Sequence, residues 1–136
     1  MFSLSWERKR HVLLIRFSDV LTSRDMAETD LAIVEFVAEH GRGDTIYDFT
    51  ATTAVAIPQT GFVARRYQPP LSPGSARIIV APRDDLRHES LEFAEQQAEL
   101  GFLRPHVTRT LEEAFGILRL GARPVFELLL APALRA

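Results

Sequence analysis

Cysteine is absent from the chain, which removes disulfides, thiolate metal sites and a sulfur nucleophile and agrees with a reducing compartment. Lysine is nearly absent too, with Lys9 alone among the 16 basic residues. Against 18 acidic residues the formal net charge is -2, so the chain lacks the basic surplus with which nucleic-acid modules neutralise phosphates. No nucleic-acid partner is expected. No apolar run approaches the roughly 20 residues that span a bilayer, and no charged segment followed by an apolar one opens the chain. The expected setting is therefore soluble and cytoplasmic, without a membrane span.

Catalytic signatures are missing as well. There is no G-x-S-x-G elbow, and the glycines form neither a phosphate-cradling loop nor a dinucleotide fingerprint. His88 and Glu92 stand four apart on a helical stretch with Glu89 beside them, but two ligands on one face do not make a metal site. Asp84-Asp85 reads as a turn leading into a helix start, where acids favour the helix dipole, rather than as an acid-base pair. The sequence thus predicts no catalytic residue, no metal and no cofactor, and a non-enzymatic role.

What is present is one domain's worth of core: 136 residues with 46% hydrophobic content. Phe2-Ser3-Leu4-Ser5-Trp6 alternates as a half-buried strand should, charged residues 7 to 10 turn, and His11 to Phe17 runs almost continuously apolar. That predicts a hairpin whose second strand is central and covered on both faces. Thr22 with Asp25 offers a capping box, and Gly41 a stop, for a helix over 23 to 40. Its expected inner stripe is Ala27, Leu31, Val34 and Ala38, widened by Ile33 and Val37.

A short strand at Asp44 to Phe49 follows, then a short helix from about Pro58 through Tyr67. A strand at Ala76 to Pro82, a helix from about Leu86 to Leu100, a brief strand at Pro105 to Arg109 and a helix capped by Thr110 and Glu113 complete the order. Strands joined by crossover helices imply a largely parallel sheet. The tail after Gly121 is strongly apolar at Val125, Phe126 and Leu128 to Leu130, and either folds back onto the domain or covers a partner subunit.

The order of elements, with the specific stretches IYDFTATTAVAIPQTGFVARRY, ARIIVAPRDDL and HVTRTLEEAFGIL, resembles the STAS domain of the anti-sigma-factor antagonists. It is similar in particular to bacterial STAS-like proteins that lie close to a lipid-transfer type. The resemblance implies an α/β fold over residues 1 to 120, with a mostly parallel sheet of about five strands, an N-terminal antiparallel hairpin and about four helices. The tail, 121 to 136, lies outside it.

The resemblance also implies a test of phosphorylation. Phosphorylated STAS domains carry Asp-Ser-Ser-Gly at the start of the helix after a strand ending in Asp-Leu-Ser. Here Asp48-Phe49-Thr50 matches the strand end, but Ala56-Ile57-Pro58-Gln59 falls on the motif and has no hydroxyl at the acceptor position. Thr52, Thr53 and Thr60 are the substitutes a shifted loop would offer.

Two readings of this corner remain. In one, Asp48, Thr50, Thr52 and Thr53 bond the loop backbone and cap the short helix. In the other, Asp48, Thr50, Thr52, Thr53, Ile57, Thr60 and Phe62 line a crevice at the carboxyl ends of the strands, suited to a small amphipathic ligand or a lipid. The function expected first is a regulatory module that binds a protein partner or itself. A small-ligand carrier is the alternative.

Overall fold

A computed structural model of the chain describes residues 1 to 131. It is an α/β protein whose elements run β1 (Phe2–Glu7), β2 (Val12–Thr22), α1 (Ser23–His40), β3 (Asp44–Ala56), α2 (Gln59–Arg65), β4 (Arg77–Val80), α3 (Asp84–Glu99), β5 (His106–Thr108), α4 (Leu111–Ile117) and β6 (Glu127–Leu130). The strands form one mixed six-stranded sheet in the order β5-β4-β3-β2-β1-β6. β2, β3, β4 and β5 run parallel to one another, whereas β1 pairs antiparallel with both β2 and β6.

The expected five strands become six because the tail supplies one. Phe126 stacks on Phe115 at 5.9 Å between centroids, and Leu128 and Leu130 pair with Ser5 and Leu4. The described part of the tail folds back, while residues 132 to 136 lie outside the described residues.

The near-continuous apolar run of β2 is divided between two cores by strand alternation. Leu13, Ile15 and Phe17 face the layer made by α1, α2 and α3, and Val12 and Leu14 face α4. Both faces of the central strands are covered, as the run predicts.

Helix α1 begins where its capping box requires. Thr22 Oγ1 accepts from the Asp25 amide and the Asp25 carboxylate accepts from the Thr22 amide at 3.0 Å. Its inner face, however, is Asp25, Thr29, Ile33 and Phe36, with Leu31 60% and Val34 48% exposed. The helix carries two apolar stripes, and the one holding Phe36 wins because an aromatic ring buries more surface than a valine.

Asp25 is fully buried. Burial pushes its pKa up, but hydrogen bonds from Thr22 and the Met1 ammonium at 3.3 Å prevail and hold it below the ordinary carboxylate value of 3.8. A depressed folded pKa contributes stability that is present above about pH 3.8 and is lost as pH falls through the folded value. Asp25→Asn is expected to be less stable than the parent at pH 7 and to converge on it only as pH falls through the lowered folded value, read from denaturant midpoints across pH.

Candidate functional site

Three chain segments leave a space between them. Pro58, with φ near −60°, starts the short helix α2 without any side-chain cap. Helix α2 crosses over the sheet with no fully buried residue of its own, so packing alone does not hold it and polar latches do. Arg65 grips Asp30 of α1 bidentately at 2.9 and 3.1 Å, and Arg66 reaches Glu89 of α3 at 2.9 Å, where Gln59 also bonds at 3.1 Å. From α3, Gln97 Nε2 donates to the carbonyls of Arg66 and Gln68 at 2.8 and 2.9 Å.

Beneath this roof lies an apolar cavity of about 90 Å³. Tyr47 and Phe49 of β3 with Arg77 and Ile79 of β4 form its floor, and Leu21, Met26, Leu86, Glu89, Ser90 and Phe93 its walls. Ile57, Phe62 and Arg65 close it from above. At one end a recess of about 30 Å³ shares Tyr47, Arg65, Arg77 and Phe93 and runs under Pro69 to Leu71. At the other, a shallow groove of about 420 Å³ between α2 and α3 shares Phe62, Leu86 and Glu89.

Of the polar residues that line this apolar space, Arg65 and Glu89 are held in ion pairs among the described residues, and Tyr47 and Arg77 are not. Burial pushes the Tyr47 hydroxyl pKa up, against the neighbouring Arg65 and Arg77 charges, so at neutral pH the hydroxyl keeps its proton to donate. Arg77, 8% exposed, bonds Gln97 Oε1 and the Leu103 carbonyl at 3.0 Å each and lies over the Phe93 ring. Burial lowers its pKa from a high starting value, and a guanidinium stays charged under such a shift.

The residues expected to form the corner separate. Ile57 and Phe62 line the cavity. Thr50, Thr52 and Thr53 do not, because β3 continues as a strand through Ala56 where a loop is expected, paired with Ser18 to Thr22 of a lengthened β2, and neither does Asp48 within the expected strand. Asp48 is fully buried and pairs across to Val80, a residue of the α4-side core. Alternation thus puts its side chain on the face opposite the cavity, where it accepts from Arg16 Nε and the Thr50 amide at 2.9 Å each. None of these side chains caps α2.

Of the three substitute hydroxyls, Thr52 is 6% exposed and its Oγ1 has no hydrogen-bond partner among the described residues, whereas Thr53 and Thr60 are exposed. Asp84 and Asp85 sit in the first turn of α3. The hydrogen bond from Arg83 holds the Asp85 carboxyl below its ordinary value, and Arg83 also reaches the Thr53 carbonyl. No group of three metal-ligating side chains occurs among the described residues, and no helix there is long and apolar enough to cross a membrane.

Tyr47, Arg77, Ser90 and Phe93 were legible as parts of strands and a helix but not as neighbours. The only signal for them is a charged residue opening an otherwise apolar strand, Arg77-Ile78-Ile79-Val80. No protein-family model matches the chain, and no curated protein matches it.

Proposed function

We propose that this is a STAS-like, non-enzymatic carrier or sensor that holds a small, largely apolar molecule in the cavity under α2. The observation that carries the reading is the cavity itself: mostly apolar walls, a few polar groups among which Tyr47 and Arg77 are in no ion pair among the described residues, and a roof fastened mainly by ion pairs and hydrogen bonds from side-chain amides. Native cores leave few voids larger than a water molecule, and small-molecule sites combine apolar lining with a few convergent polar groups. A roof held by latches opens without disturbing a core, which gives a ligand a way in. The element order expected from the STAS resemblance supports the fold part of the reading.

Filling the space tests it. Ser90→Phe, from an 8% exposed wall position, is expected to abolish binding of hexanol while leaving the melting temperature within a few degrees of the parent. Amide chemical shifts of Leu21, Phe62 and Ser90 should move on adding hexanol to the parent protein and stay still in the variant. Shifts scattered over the surface, or none, would sink the carrier reading.

A second reading, a module that binds a protein or a second copy of itself, draws on a different observation. β6 sits at the sheet edge with Leu128, Leu129 and Leu130 62, 40 and 45% exposed, and such an edge can pair with another strand. Sedimentation that is independent of concentration, together with no partner co-purifying, would count against it.

A further inference from the structure

Resting on the reading of the cavity as a ligand site, the geometry points to a narrower ligand class: a monocarboxylate with a short apolar tail, its carboxylate at Arg77 and Tyr47 and its tail between Phe62 and Leu86. The argument starts from charge. Around the cavity Arg65 has Asp30 and Arg66 has Glu89, each within 2.9 Å. Arg77 has no acid within ion-pair distance among the described residues. Its partners are a side-chain amide, a backbone carbonyl and an aromatic face, all neutral. A guanidinium held out of water without a counter-charge is costly, and an incoming anion removes that cost.

Position favours the same end. Tyr47 pairs with Ile79 and Thr45 with Arg77, so Tyr47 and Arg77 lie diagonally on one face of adjacent parallel strands. No hydrogen bond to the Tyr47 hydroxyl is formed among the described residues, which leaves a donor in the lining that Arg77 shares. Both border the recess of about 30 Å³, about the volume one water occupies in the liquid and enough for a carboxylate oxygen. Asp30 lines it too, its charge met by the bidentate grip of Arg65.

Magnitude selects the anion and the tail. One uncompensated cation suits one negative charge, so a carboxylate matches where a phosphate dianion would carry charge in excess. Arginine also matches the planar carboxylate with two parallel donors. The apolar space of about 90 Å³ is smaller than the roughly 150 Å³ of a cavity that takes benzene. That limits the enclosed tail to a few carbons, with continuation past Phe62 and Leu86 into the outer groove.

Titration calorimetry at pH 7 with hexanoate, hexanol, acetate and hexyl phosphate tests the assignment. Hexanoate is expected to bind at least about 10-fold tighter than hexanol, as a hydrogen-bonded charge pair allows. Acetate, lacking the tail, should not bind detectably. Arg77→Met should erase the preference for hexanoate while hexanol still binds.

Equal affinity of hexanoate and hexanol for the parent protein, or tighter binding of hexyl phosphate, would overturn the carboxylate assignment and leave the cavity as a ligand site. Binding of neither six-carbon probe would overturn the carrier reading with it. The parent-protein comparison decides even where Arg77→Met does not fold.

Discussion

Phe17→Ala is expected to destabilise the protein by about 4 kcal/mol, a fall in melting temperature of roughly 15 °C. Phe17 is 1% exposed and stacks on Phe49 at 4.6 Å with the rings only 9° from parallel, while Phe2 tilts against it at 6.4 Å. Truncation removes the ring's transfer free energy and leaves a void that β2 and β3 cannot close, because each is locked into the sheet on both sides. The void would adjoin Phe49, which lines the cavity under α2, so larger apolar probes should bind the variant better than the parent. Leu31→Ala is the control. It lies on the face of α1 that sequence spacing favours, yet Leu31 is 60% exposed, and its loss is expected to cost under about 0.5 kcal/mol. Thermal and denaturant unfolding of the two variants decide which stripe of α1 and which strand residues form the core.

That contrast marks where the sequence is informative. Local signals were sufficient for the hairpin and for the limits of α1, because a capping box and a helix-stopping glycine act within a few residues of themselves. They were sufficient as well for the helical order that follows. They failed where a distant partner decides the outcome.

Thr50 to Ala56 reads as a loop when weighed alone, since Thr, Ala and Pro58 suit a turn. Its register with Ser18 to Thr22 makes it a strand, and that pairing bridges more than thirty residues. The same extension moved the threonines away from the cavity and alternation turned Asp48 from it, whereas Ile57 and Phe62 stayed with it because they follow the end of β3 and enter the roof. Buried polar residues were the hardest to read. Arg77 and Gln97 lie 20 residues apart in sequence, on a strand and on the helix that follows it, and become meaningful only as a bonded pair.

Gln97 is where stability and access to the cavity meet. Fully buried on α3, it accepts from Arg77 at 3.0 Å and donates to two carbonyls of the segment that ends the roof, at 2.8 and 2.9 Å. All three bonds come from one amide, whose oxygen and nitrogen are both committed. Gln97→Leu keeps the volume and removes every one of them, leaving a buried guanidinium short of an acceptor and two carbonyls short of donors.

Unmade bonds of this kind cost more than made ones contribute. The expected loss is about 3 kcal/mol of unfolding free energy. The effect should also be local. Among the side-chain bonds of the described residues, the segment from Arg65 to Gln68 then keeps the Arg65–Asp30 and Arg66–Glu89 pairs, beside its local backbone bonds, so amide exchange there should accelerate before global unfolding does. Ligand dissociation should quicken in the same variant. If exchange in α2 stays at the parent rate while overall stability falls, Gln97 braces only the core and the roof is held by its ion pairs alone.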